Sequence, residues 1–213
     1  MGKPNKPKFY VVWKGHQPGV YANWDAASRQ VSGFPGAEFK SFPSRQEAET
    51  AFAGAYASYA GQNTKSPKRS LEDLQRLGVI LDSIVVDAAC SGVPGPMEYR
   101  GVSLRDGQQL FHQGPFPDGT NNVGEFLALV HALAWLKQQN RPGIPIYSDS
   151  RNAQLWIKAK ACRTKLEHTG RNDAIFEMID RAENWLAANA VTNPIIKWKT
   201  DEWGEIPADF GRK

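Results

Sequence analysis

The sequence predicts an α/β protein: a small α+β module, a linker, then a mixed five-stranded sheet flanked by helices. Three observations predict this. Short β-branched runs alternate with segments of helical period through the second half. A polar, basic stretch at residues 61–69, nearly without apolar residues, separates the two halves. In Ser83-Ile-Val-Val-Asp-Ala-Ala-Cys-Ser-Gly92, a buried-strand pattern runs straight into an acid, Asp87. Such an acid is costly to desolvate unless a cation or hydrogen bonds compensate. The plainer alternative is that Asp87 caps a turn.

In the front half, Phe9–Lys14 reads as a strand, Gly15–Gly19 as a turn, and Val20–Trp24 as a second strand. Asp25 is the expected cap of a short helix reaching Val31. Phe34–Phe42 returns as an extended segment. Ser44 and Glu47 form a capping box opening a helix whose Ala48, Ala51, Phe52, Ala55 and Tyr59 share one face. The predicted boundaries are residues 1–60 for this module, 61–78 for the linker and 79–213 for the larger domain.

In the larger domain, Met97–Leu104 and Gln109–Gln113 flank Asp106-Gly107, a hairpin signal. With the Asp87 strand they make three antiparallel strands. A helix follows Thr120-Asn-Asn122, with Phe126, Leu129, Val130, Leu133 and Leu136 on one face. Ile144–Ser148 is a short buried strand ending at Asp149. A short helix spans about 153–159, and a longer one carries Ile175, Met178, Ile179, Ala182 and Leu186 on one side. Pro194–Trp198 is the last strand. This order gives the mixed sheet, with chemistry expected at strand ends.

Composition narrows the function classes. Of 213 residues 41% are hydrophobic, with 7 Trp, 10 Phe and 6 Tyr, which excludes a generally disordered chain. The net charge of +4 suits a polyanionic partner without demanding one. Cys90 and Cys162 are the 2 cysteines, too few for a zinc ribbon or a disulfide framework. No signal peptide or membrane span is read, so the expectation is a soluble, cytoplasmic monomer with no obligate protein partner.

Four acids then stand at structurally awkward places: Asp87, Glu125, Asp149 and Asp209. Gathered in one cleft they would repel and would not all ionise. Divalent cations reverse that penalty, and Mg²⁺ prefers such oxygen ligands. Two ions about 3.5–4 Å apart can act on a phosphodiester without a nucleophilic side chain. Each acid also has an ordinary alternative: Asn122-x-x-Glu125 as a capping box, Asp149 as an N-cap, and Asp209 as a solvated acid.

Val86-Asp87, Asn121-Asn-Val-Gly-Glu125-Phe-Leu-Ala128, Tyr147-Ser-Asp149-Ser150 and Ala208-Asp209 resemble the type 1 ribonuclease H pattern across roughly residues 80–213. Phe9-Tyr-Val-Val, Gly19-Val-Tyr-Ala-Asn-Trp24 and Phe39-Lys40-Ser-Phe42 resemble the hybrid-binding domain found ahead of many such enzymes. The resemblance implies a ribonuclease H-like fold that cleaves the RNA strand of an RNA·DNA hybrid, leaving 5′-phosphate and 3′-hydroxyl ends. It implies Mg²⁺ as cofactor, two ions, with Mn²⁺ as an alternative. Asp87 would bridge both ions, Glu125 and Asp149 would complete one site, and Asp209 the other, with Glu205 a further acid nearby. Asn121 and Asn122 match hybrid contacts, and Thr120, Asn122 and Thr164 a phosphate pocket for the DNA strand. Tyr10, Trp24 and Phe39 read from the residues alone either as core of the small module or, with Lys40 beside Trp24, as a nucleic-acid surface, and the resemblance implies the hybrid-binding surface.

The chain departs from the pattern in three places. Thr200-Asp-Glu-Trp-Gly-Glu205 carries no His where many members have a loop His, and His168 is only a minor candidate to replace it. Arg151 stands where close relatives have a Gln that reads the hybrid; it would contact a phosphate instead, or only cap Asp149. Ser41 replaces a common Lys, so weaker hybrid affinity is expected. The rival readings are a non-catalytic hybrid-binding protein with vestigial acids and a DNA-cutting enzyme of the same fold.

Overall fold

The computed structural model describes residues 8–59 and 69–211. The expected basic lead-in and the core of the expected linker lie outside the described residues. The chain divides into two compact units, Met1–Lys65 and Ser66–Lys213.

In the first unit, β1 (Phe9–Lys14) is flanked by β2 (Gly19–Tyr21) and β3 (Glu38–Phe42), both antiparallel to it. Successive strand residues alternate faces. Val11 lies opposite Lys40 in register, and its face packs on Ala48 and Ala51 of α2 (Arg45–Phe52), with Trp13, Phe42 and Tyr59 around them. Tyr10 and Phe39 take the other face and meet Trp24, the first residue of α1 (Trp24–Val31). Two expectations change here. Trp24 belongs to the helix rather than to a strand, because Asn23 is the cap: its side chain accepts from the Ala26 N–H at 2.9 Å. Ser44 caps α2 as read, but the helix stops at Phe52, before Gly54 and an extended Ala55. Tyr59 rejoins the core from beyond it, stacked on Trp13 with ring centroids 5.6 Å apart.

The second unit opens with α3 (Leu71–Arg76), which falls inside the stretch expected to be linker. Ser70 caps it by accepting from the Asp73 N–H, and Leu74 buries against Val79 and Val85. Six residues offer too little periodicity to announce a helix. The sheet order is β6-β5-β4-β7-β8, with β4 (Ile84–Cys90), β5 (Gly95–Ser103), β6 (Gln109–Gly119), β7 (Ile146–Ser148) and β8 (Ile195–Lys197). The β4, β5 and β6 strands pair antiparallel, and β4, β7 and β8 parallel, so the sheet is mixed and five-stranded as expected. Strand β6 runs six residues past the expected Gln113, through Pro115 and Pro117. An edge strand tolerates proline because one row of its N–H groups needs no partner.

Alternation along β4 separates two cores. Ile84, Val86 and Ala88 face α4 (Asn121–Gln138) and α6 (Asp173–Ala188). Val85 faces Tyr147, Trp198, Trp203, Ile206 and Ala208, the cover supplied by the C-terminal segment and the short α7 (Thr200–Trp203). Helix α4 is buried on nearly all sides, including Val123, Phe126, Leu129, Ala132 and Leu136. The remaining helix, α5 (Arg151–Ala159), packs against α4. Among the described residues, no helix is long and apolar enough to cross a membrane.

Candidate metal centre

Strand register brings the first two acids together. Val85 on β4 pairs in parallel with Tyr147 on β7. Asp87 and Asp149 each stand two residues further on, so Asp87, in the middle of β4, lies beside Asp149, the residue just past the end of β7. The third acid comes from α4. A Cβ on Gly124 would lie 2.7 Å from the Ala88 Cβ and 3.2 Å from the Met97 side chain. Glycine therefore lets α4 rest directly on β4 and sets the next residue, Glu125, beside Asp87. One carboxylate oxygen from each of Asp87, Glu125 and Asp149 falls within 4.8 Å of the other two.

The electrostatics of this cluster favour a cation. Asp87 and Glu125 are each only 8% exposed. Burial is the largest influence on Asp87, and the charges of Asp149, Glu125 and Asp209 add to it. Together, against a hydrogen bond from the Ala88 backbone, they push its carboxyl up to about 8. Burial also pushes Glu125 up, to about 7. The Ser150 hydroxyl, Lys197 and the Asn121 amide oppose that shift, while Asp149 adds to it. Asn121 Nδ2 donates to Glu125 Oε1 at 2.8 Å. The Lys197 ammonium donates to the Asp149 carbonyl. An all-oxygen, mostly carboxylate donor set fits a hard divalent cation.

The ordinary alternatives do not describe these acids. Asp87 is inside a strand, not on a turn. The N-cap of α4 is Thr120, so Asn122 and Glu125 form no capping box. The N-cap of α5 is Ser150, which accepts from the Ala153 N–H at 3.2 Å, so Asp149 is not a cap.

Asp209 lies outside the three-carboxylate group but close enough for its charge to act on Asp87. Its Oδ2 accepts from the Gly211 N–H at 3.1 Å. Glu205, half-buried on the same C-terminal segment, is also outside the group. Thr120, Asn122 and Thr164 line one cavity of about 660 Å³, together with Trp156, Arg163 and Lys165. Arg151 is exposed at the first position of α5. His168 pairs with Asp173 at 2.6 Å instead of joining the acids.

In the first unit, Tyr10, Trp24 and Phe39 form a continuous aromatic surface, with centroid separations of 5.3 and 5.5 Å. Trp24 is 43% and Phe39 41% exposed. Lys40 is not beside Trp24. Strand alternation turns it to the α2 face, where its ammonium donates to the Tyr59 carbonyl at 2.9 Å.

Sequence reasoning missed Arg100, Gly124, Ser150 and Lys197. Gly124 immediately precedes Glu125 and Ser150 immediately follows Asp149, and that adjacency is the signal the sequence carries for them. Arg100 and Lys197 owe their place to strand register, which spacing along the chain does not report.

The family model of the ribonuclease H1 N-terminal domain matches residues 8–52. The chain is 35% identical over 144 residues to the ribonuclease H of Aromatoleum aromaticum, covering 61% of this chain and 92% of that one. It is 48% identical over 56 residues to the ribonuclease H of Crithidia fasciculata, covering 26% of this chain and 11% of that one. A ribonuclease H1 structure from Halobacterium salinarum is similar at a TM-score of 0.36 and 21% identity, over 57% of this chain and 89% of that one. With the Aromatoleum relative matched over almost its whole length, the chain belongs to the ribonuclease H family.

Proposed function

We propose that this chain is a metal-dependent endonuclease that hydrolyses the RNA strand of RNA·DNA hybrids, leaving 5′-phosphate and 3′-hydroxyl ends. The observation that carries the reading is the convergence of Asp87, Glu125 and Asp149 within 4.8 Å. Two of these carboxyls resist ionisation without a cation beside them. Asp87, Glu125 and Asp149, with Asp209, would hold Mg²⁺, for which Mn²⁺ could substitute, with Asp87 contributing to both of two sites. Glu125 and Asp149 complete one site, and Asp209 the other with Glu205 nearby. When bound, the two ions activate water, neutralise the scissile phosphate and stabilise the departing oxygen. Water would add its oxygen to phosphorus and release a proton to solvent, the P–O3′ bond would break, and the departing 3′ oxygen would take a proton from solvent.

The protein supplies position and charge. Glu125 is oriented by Asn121 and faces the ribose 2′-hydroxyl, the group that separates RNA from DNA. Asn121 and Asn122 contact the hybrid. Thr120, Asn122 and Thr164 take a phosphate of the DNA strand in a cavity whose Arg163 and Lys165 supply positive charge. Arg151 meets a phosphate from the start of α5. Tyr10, Trp24 and Phe39 stack on the nucleic acid, and tethering raises the local hybrid concentration around the second unit. The proposed setting is the cytoplasm, where the monomer clears R-loops and RNA primers.

A substrate panel tests this. Hybrid, double-stranded DNA and double-stranded RNA are incubated with EDTA and then with Mg²⁺ or Mn²⁺ restored. Cleavage confined to the RNA of the hybrid, and only with metal, is expected. Cleavage of DNA duplex, or none with either metal, would overturn the reading.

A further inference from the structure

Asp209 follows the last helix on a segment with no strand or helix of its own, so something else must fix it. Upstream, the segment is held by apolar burial of Trp203, Ile206 and Ala208 and by the Trp198 indole donating to the Gly204 carbonyl at 2.8 Å. Beyond Ala208 that core ends. There, Arg100 Nε donates to the Ala208 carbonyl at 2.9 Å and Nη2 to the Asp209 carbonyl at 2.7 Å. The same guanidinium lies over the Phe210 ring, 4.6 Å from its centroid. Three consecutive residues are thus gripped by one side chain.

The place of Arg100 in the sheet gives the grip its meaning. Arg100 is the direct antiparallel partner of Asp87, and His112 on β6 is the direct partner of Arg100. Directly opposed residues project from the same face, so Asp87, Arg100 and His112 form a row across three strands. His112 also meets Phe210, with centroids 5.9 Å apart, and bonds the buried Glu98 carboxylate at 2.8 Å. The segment carrying Asp209 is therefore docked onto the same row of the sheet that presents Asp87.

We propose that Arg100 is a positioning residue that docks the Ala208–Phe210 backbone and so sets Asp209 against Asp87. The proposal rests on the reading of Asp209 as a metal ligand, and its docking part stands apart from that reading. A planar guanidinium donates to two carbonyls in a fixed fork, whereas a lysine ammonium is a point charge on a flexible stem. The conservative substitution is therefore an informative control.

The test compares wild type, Arg100→Met, Arg100→Lys and Asp209→Asn. The first measurement is amide hydrogen exchange in the metal-free proteins, read at Asp209 and Gly211 against the strand amides of β4. Both probes have local partners, the Ile206 carbonyl and Asp209 Oδ2. Arg100→Met is expected to speed exchange at these two by about tenfold or more while β4 keeps its protection. Arg100→Lys is expected to fall between it and wild type, and Asp209→Asn to leave the Asp209 amide unchanged. The second measurement is the Mg²⁺ dependence of hybrid cleavage. Arg100→Met is expected to need several-fold more Mg²⁺ and to recover most of its maximal rate when it is supplied, whereas Asp209→Asn stays slow at any concentration. Unchanged exchange at Asp209 and Gly211 in Arg100→Met would overturn the docking role. So would loss of β4 protection in both Arg100 variants, because the residue would then serve the whole sheet. Wild-type activity in Asp209→Asn would instead overturn the ligand reading, and leave the exchange result to judge Arg100 alone.

Discussion

The side-chain amide of Asn121 donates to Oε1 of Glu125 at 2.8 Å, one helical turn along α4. Asn121 is exposed and Glu125 is buried, so the amide reaches inward to hold a carboxylate that burial pushes toward neutrality. A hydrogen bond to a charged group is worth about 1.5–3 kcal/mol. Asn121→Ala is expected to slow hybrid cleavage by roughly ten- to a hundredfold and to move the acidic limb of the pH–rate profile upward. A slower rate with an unmoved limb would mean that Asn121 serves the substrate alone.

The raised carboxyls set a pH dependence for the metal-free protein. The Asp87 carboxyl titrates near 3.8 in the unfolded chain and is pushed up to about 8 in the folded one. Between those limits the folded state binds more protons, so stability falls as pH rises from about 4 to 8. Glu125, folded at about 7, adds the same sign over a narrower window. Asp87→Asn removes the larger part, so at pH 8 the metal-free variant should melt higher than wild type. Adding Mg²⁺ should raise the melting point of wild type more than that of the variant. Thermal scans at pH 5 and pH 8, with and without metal, check this; an unchanged difference across pH would refute it.

Gly124 has no room for a methyl group: a Cβ there would meet the Ala88 Cβ at 2.7 Å, with the Met97 side chain close behind. Gly124→Ala should push α4 off β4, cost about 1–3 kcal/mol of stability, and withdraw Glu125 from Asp87. Denaturant unfolding and cleavage assays should both register the change. A variant as stable and as active as wild type would show that α4 has slack at this contact.

The first unit offers a gain-of-function test. Ser41 is exposed and lies directly opposite Tyr10 in register, on the face of the Tyr10–Trp24–Phe39 surface. Ser41→Lys adds a cation there, and should tighten hybrid binding and steepen its salt dependence by about one phosphate contact. Trp24→Ala should weaken binding with little change in salt slope, since it removes stacking worth about 1–3 kcal/mol. Binding isotherms at several salt concentrations separate the two effects.

Much of the fold was legible because it is written in short-range patterns. The Ser44 cap, the β4 run into Asp87 and the apolar face of α4 are all local signals. What was lost depended on neighbours. The extension of β6 through Pro115 and Pro117 follows from its place at the sheet edge, and α3 is too short to have a period. The cap of α1 was misassigned by two residues because Asn23 and Asp25 are chemically similar choices. In the site, Asp87, Glu125 and Asp149 could be nominated from motif order, and the structure brings those three together. Lys40 was misplaced because adjacency in sequence puts Phe39 and Lys40 on opposite faces of a strand. Arg100 was invisible because its meaning lies in its opposition to Asp87 and in carbonyls more than a hundred residues away.

The shared carboxylate centre is tested most directly by Asp87→Asn, assayed side by side for Mg²⁺-dependent cleavage of an RNA·DNA hybrid and for binding to the same hybrid without cleavage. Abolished cleavage with binding retained is the predicted result. Full cleavage by the variant would contradict the account.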